Sequence, residues 1–173
     1  MNSIVIPNLW RFVGMVLLQG LLLKQMGQAV HTTHFNVLLY PLFILFLPIQ
    51  TAAPYLVLLG FAVGISVDIF YQTPGVHASA GAFSGFTRAF VFAAFSPKGG
   101  FSTKEPIFSP ANVSWQTYLY GASAFFFLHL FWYFSVDAFT FVFFGSIMLK
   151  TIIAWFISMI FVVLYAALFN PKI

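Results

Sequence analysis

The chain has 173 residues, of which 61% are apolar and only 6% are charged, and its mean hydropathy is +0.98. A soluble domain carries roughly 25% charged residues, so seven basic and three acidic side chains cannot cover a water-facing surface, and a soluble globular protein is excluded. The net charge of +4 comes from scattered residues with no basic patch, which argues against a nucleic-acid partner and for a role in setting membrane topology.

The absence of cysteine excludes disulfides, thiol chemistry and thiolate metal sites. The chain reads as one integral membrane domain, residues 1–173, with lipid or other protein around it. Its 25 phenylalanines suit lipid-facing helix surfaces and helix packing.

A span needs about 20 mostly apolar residues at about 1.5 Å each to cross roughly 30 Å of hydrocarbon. About six runs qualify, which predicts an all-α membrane bundle. Helices are favoured over a barrel because the apolar runs are continuous rather than alternating. The first is Leu9–Leu23, read as a retained span because no small-residue cleavage site follows it. A polar, His-containing loop, Lys24–His34, leads to a short second span, Phe35–Ile49, ending near Pro48. The third is Pro54–Tyr71. The turn Thr73-Pro74-Gly75 joins it as a hairpin to the fourth, His77–Phe95. A long loop, Ser96–Gln116, with several Pro and Gly residues, is expected on the surface, with Trp115 and Tyr118 as interface anchors. The fifth span is Tyr118–Phe134 and the sixth is Phe139–Phe169. Both ends on the cytoplasmic side would put Arg11, Lys98, Lys104 and Lys172 inside, with Lys24 the exception.

Charges within spans cost a few kcal/mol unless paired or solvated. Asp68, Arg88 and Lys150 are such charges. Gly60, Gly64, Asp68 and Gln72 recur every four residues and form one helical stripe. Gly60 and Gly64 make a small-xxx-small packing motif, so Asp68 is expected to face the bundle. Its role is structural pairing, contact with a partner, or chemistry. Chemistry would need a second carboxylate at its depth, and Glu105 and Asp137 both fall in predicted loops.

His77, Gly81, Gly85, Ala89 and Ala93 form a matching stripe, which predicts face-to-face packing of the hairpin, with His77 as a cap or boundary residue. Arg88, further down the span, would need a long reach or an offset between the helices to pair with Asp68, and is otherwise expected to meet backbone carbonyls, a lipid phosphate or a partner. Lys150, on the stripe Ser146, Lys150, Ala154 and Ser158, is a second candidate to pair with Asp68. His31, His34, His77 and His129 have no metal-ligand spacing, and no phosphate loop, metalloprotease or hydrolase motif is present. No metal or cofactor is expected.

The stretch Gly60-Phe-Ala-Val-Gly64-Ile-Ser-Val-Asp68-Ile-Phe-Tyr-Gln-Thr-Pro-Gly75-Val-His77-Ala78 resembles the rod shape-determining MreD family, particularly its Bacteroidota-type members. That family shows a Gly-rich span, an Asp followed by aromatic residues, a Gly turn, His-Ala and a small-residue span. The likeness continues through Arg88 and Ser96-Pro97-Lys98-Gly99-Gly100. The resemblance implies a non-enzymatic inner-membrane subunit of the peptidoglycan elongation machinery. Its implied partners are MreC and, in the wider complex, RodA, a class B penicillin-binding protein and MreB. It also implies a fold similar to the substrate-binding subunits of energy-coupling-factor vitamin transporters. That supplies a rival expectation, a small-molecule transporter subunit in which Asp68, Gln72, His77 and the loop Lys24–His34 line a pocket.

Overall fold

The computed structural model describes residues 2–29, 36–96, 100–101, 107–140 and 142–169. Its elements are α1 (Asn2–Leu17), α2 (Lys24–Ala29), α3 (Pro41–Leu45), α4 (Ala53–Tyr71), α5 (Val76–Phe95), α6 (Trp115–Ala138) and α7 (Phe144–Phe169). A π-helical turn, Leu18–Leu23, joins α1 and α2 into one rod. Among the described residues no strand forms; a single isolated bridge pairs Pro48 with Ile107.

Among the described residues four helices are long and apolar enough to cross a membrane: Val5–Met26 of the first rod, α4, α6 and α7. Their outward faces are apolar, as lipid requires. Leu58, Phe61, Ile65 and Ile69 of α4 are exposed, as are Ile152, Phe156, Ile160 and Leu164 of α7. Helix α5 matches α4 in length but carries His77, Ser84, Thr87 and Arg88, all buried. It can carry them because it packs between α4 and α6, where side chains meet protein rather than lipid.

The hairpin of α4 and α5 is set by glycine. A Cβ added at Gly60 would run into the carbonyl of Gly81, and one at Gly81 into the carbonyl of Gly60. Gly64 lies against the His77 carbonyl and Ala78 Cα, and Gly85 against the Leu56 carbonyl. Backbones this close gain dispersion contacts along the whole seam, the main source of helix association in lipid. The stripes end sooner than their periodicity predicts. Gln72 is exposed and sits at φ 58, where it closes α4 instead of extending the stripe. Ala89 and Ala93 are exposed, because a repeat of four drifts around a helix of 3.6 residues per turn. Gly75, at φ 93, supplies the left-handed backbone that the turn needs.

The expected second span is not a continuous helix. Among the described residues of Phe35–Ile49 only Pro41–Leu45 is helical, and residues 36–39 have no regular structure. Pro41 is the cause: its ring excludes a helical turn before it, so it opens a new helix instead, and Pro48 stops continuation. Every residue from 37 to 47 is nevertheless buried. The segment starts beside Ser158 and His77 and ends beside Arg88, so it runs alongside α5 in the same direction. The first rod lies over it parallel to α4: Val5, Leu9 and Phe12 flank Tyr55 and Leu59, while Gln19 and Lys24 reach Tyr71 and Phe70.

Three smaller expectations also change. The long loop does not stay on the surface: Ile107, Phe108 and Ser109 are fully buried. Tyr118 is no interface anchor, being buried against Phe46 and Phe108, whereas Trp115 is 45% exposed at the start of α6. The last helix begins at Phe144, because Phe139 turns to φ 52 and closes α6. Asp137 consequently lies in the last turn of α6 rather than in a loop. His31, His34, Lys98, Lys104, Glu105 and Lys172 lie outside the described residues.

Candidate functional site

Asp68 sits one turn before the end of α4, and its carboxylate reaches over the turn to cap α5. One oxygen, Oδ2, accepts from the backbone N–H groups of Gly75 and Ala78, each at 3.0 Å. The other, Oδ1, accepts from the His77 N–H at 3.0 Å, the Thr73 hydroxyl at 3.0 Å and His77 Nδ1 at 2.9 Å. The first N–H groups of a helix have no partner within it, and a negative charge there also meets the positive end of the helix dipole. In lipid the alternative is an unsatisfied donor, which costs several kcal/mol. Asp68 supplies acceptors from the preceding helix, so the cap also locks the hairpin.

His77 is enclosed. Its ring centroid lies 4.6 Å from that of Tyr71, 4.8 Å from Tyr133 and 5.6 Å from Tyr40. The Tyr40 hydroxyl donates to the His77 carbonyl at 3.3 Å. The Tyr40 ring also packs edge-on against His129 at 5.1 Å, and His129 Nδ1 lies 2.6 Å from the Ser84 hydroxyl. Asp68 is 3% exposed and His77 is not exposed, so the pair is closed to solvent.

Arg88 serves the irregular segment 36–48. Its guanidinium donates to the carbonyls of Leu45, Leu47 and Pro48 and stacks over the Phe92 ring at 4.4 Å. Three carbonyls left bare where α3 unravels therefore find donors. The upstream half of that segment is held by Gln19 from the π-helical turn. Its amide donates to the Val37 carbonyl at 2.9 Å and to the Tyr71 hydroxyl at 2.8 Å, and its oxygen accepts from the Leu39 N–H at 2.7 Å. Ser158 of α7 accepts from the Leu38 N–H at 3.2 Å. Buried irregular backbone persists only when its polar groups find partners, and here side chains from three helices supply them.

Of the residues singled out in the sequence, Gly60, Gly64, Asp68, His77, Gly81 and Gly85 come together in one hairpin seam. Gln72 does not join them. Arg88 lies in the second half of α5, beside the end of segment 36–48, and of its three expected partners it meets backbone carbonyls. Lys150 is half-buried on α7 and has no hydrogen bond or ion pair among the described residues; the expected pairing with Asp68 does not occur, because His77 and the α5 N-terminus take every acceptor. Sequence reasoning passed over Gln19, Tyr40 and Thr73. Gln19 left a readable signal, a lone carboxamide in an apolar run. Among the described residues no group of three potential metal ligands assembles. Comparison with protein-family models, with curated proteins and with solved structures finds no match in any of the three.

Proposed function

We propose that this chain is a non-catalytic membrane scaffold subunit of the bacterial cell-wall elongation complex, of the MreD kind, which binds MreC and supports peptidoglycan synthesis and cell shape. The observation that carries this reading is the use made of the residues on which the resemblance rests. Gly60, Gly64, Asp68, Thr73, Gly75, His77 and Ala78 build one closed lock between two helices. A motif spent on backbone contact and on capping suits a rigid support better than a substrate site.

The rest of the reading follows from direction. If residues 36–48 cross the bilayer as an irregular pass between the first rod and α4, the chain makes about six passes and both termini lie on one side, taken as cytoplasmic. A bundle of this kind would be similar in outline to the vitamin-binding subunits of energy-coupling-factor transporters. The transporter reading itself needs Asp68, Gln72 and His77 to converge on a pocket. Asp68 is occupied by donors on both oxygens, and Gln72 is exposed, which weighs against it. RodA, a class B penicillin-binding protein and MreB would be reached through the wider complex.

The test is affinity purification from native membranes of the source bacterium. Retrieval of MreC in near-stoichiometric amount is expected. Retrieval of a vitamin together with transporter ATPase subunits, and no MreC, would replace this reading with the transporter.

A further inference from the structure

The first rod changes its helical period partway along. From Leu18 to Leu23 it is π-helical, and the Lys24 N–H donates to the Gln19 carbonyl, five residues back instead of four. A π turn holds one residue more than the α turn it replaces, and such turns recur at functional joints. Here the extra residue sets which side faces inward. Buried residues recur every four positions, Met15, Gln19 and Leu23 on one row, Val16 and Gly20 on the next. On a straight α-helix a repeat of four slides by about 40° at each step, and the wider turn cancels part of that slide. Two contacts hold the turn open. The Gln19 side chain bonds Val37, Leu39 and Tyr71, and Gly20 lies against the Phe70 ring, where a Cβ would collide.

We propose that this π turn is a two-register joint with Gln19 as its catch, at which α1 rotates by one residue against segment 36–48 and α4. The Lys24 ammonium, bonded to the Phe70 carbonyl, keeps α2 in place. Straightening the turn rotates α1 by about 100° and advances it by about 1.5 Å. Each place on α1 then passes to the next residue: Val13 for Phe12, Val16 for Met15, Leu17 for Val16. All of these are apolar, so the exchange suits core and lipid alike. The rod is also thinly packed, with 22% of its most apolar stretch buried. The costs fall on the catch. Gly20 would replace Gln19, stranding the Val37 carbonyl and the Leu39 N–H, and the smaller Val13 would stand where Phe12 meets Phe43 edge-on at 5.3 Å. Those costs make the π register the ground state. The outward face would pass from Trp10, Val13 and Leu17 to Arg11, Gly14 and Leu18, so a neighbour that touches α1 selects the register by the face it prefers. The joint is independent of the cell-wall reading, since it rests on the first rod rather than on the Asp68 hairpin.

The experiment is thiol crosslinking of the full chain in native membranes, which is clean because the chain has no cysteine of its own. Phe12→Cys with Phe43→Cys reports the π register, and Val13→Cys with Phe43→Cys reports the rotated one. The yield of each pair is compared across backgrounds. Adding Gln19→Leu should raise the Val13 yield relative to the Phe12 yield roughly five-fold or more, the shift produced by the net loss of one buried hydrogen bond. Deleting Leu22, which is 59% exposed, removes the extra residue, so the rod becomes a straight α-helix with every α1 residue in its present place. In that background the Val13 yield should fall below that of the undeleted chain, and Gln19→Leu should no longer raise it. An unchanged ratio in Gln19→Leu would overturn the proposal. So would the same rise with Leu22 deleted, which would mean general loosening rather than a change of register. Thermal unfolding identifies a variant that fails to fold. If Gln19→Leu is that variant, the chain with Gln19 intact decides: a Val13 crosslink above that of the Leu22-deleted chain supports two registers, and equal yields overturn them.

Discussion

Replacing Asp68 with Asn is the most informative single change, because it keeps size and shape and alters only charge and one acceptor. The amide oxygen can take over the role of Oδ1 toward His77 and Thr73. The amide nitrogen then stands where Oδ2 accepts from Gly75 and Ala78, so donor faces donor, and the half-buried Gly75 N–H and the buried Ala78 N–H lose their partner. An unsatisfied buried donor costs about 1–3 kcal/mol, and loss of the charge at the helix N-terminus adds about 0.3–1 kcal/mol. Truncating one member of a buried pair costs about 3–5 kcal/mol in general, in line with a loss of about 3–5 kcal/mol here. The assay is reversible unfolding in bicelles, followed by tryptophan fluorescence, with hydrogen exchange at residues 75–78 as the local readout. A loss below about 1 kcal/mol, with exchange at those amides unchanged, would refute the view that the carboxylate holds the hairpin.

Further expectations follow from the same contacts. Combining Asp68→Asn with Lys150→Gln should give additive losses, within about 0.5 kcal/mol, because the two side chains do not meet; a coupling above about 1 kcal/mol in the double-mutant cycle would restore the pair. Gly64→Leu should destabilise by about 3 kcal/mol or more, beyond the usual overpacking penalty, since even a Cβ collides with the His77 carbonyl; unchanged unfolding and unchanged complex assembly would contradict the packing. Gln19→Leu should cost about 2–4 kcal/mol by stranding the Val37 carbonyl and Leu39 N–H, and should speed hydrogen exchange in residues 36–40. Arg88→Met should destabilise by a similar amount, and Arg88→Lys should not restore stability, because a single ammonium cannot match the spread of guanidinium donors across three carbonyls; full recovery in the lysine variant, measured by the same unfolding assay, would count against that geometry.

The membrane character and the helical class were legible in the sequence, because lipid selects composition residue by residue and long apolar runs admit little besides helix. The α4–α5 hairpin was legible as well. Its glycines recur at helical spacing on both sides of a Pro-Gly turn, so the information is local. Where local periodicity was extrapolated it failed, as at Gln72, Ala89 and Ala93, since a repeat of four slides off a face within a few turns.

Partner choice was not legible. Asp68 was within reach of two basic residues on paper, and only the fold shows that the nearest donors are the backbone of α5 and His77. Segment 36–48 shows the same limit more sharply. Its hydrophobicity alone marked a span, yet Pro41 breaks the helix, and what makes the broken form tolerable lies at remote positions, Gln19, Arg88 and Ser158. The sequence by itself determined the solvent and the local geometry. Tertiary structure decided which buried polar groups meet, because hydrogen bonds between distant segments depend on depth and register that no single run of residues carries.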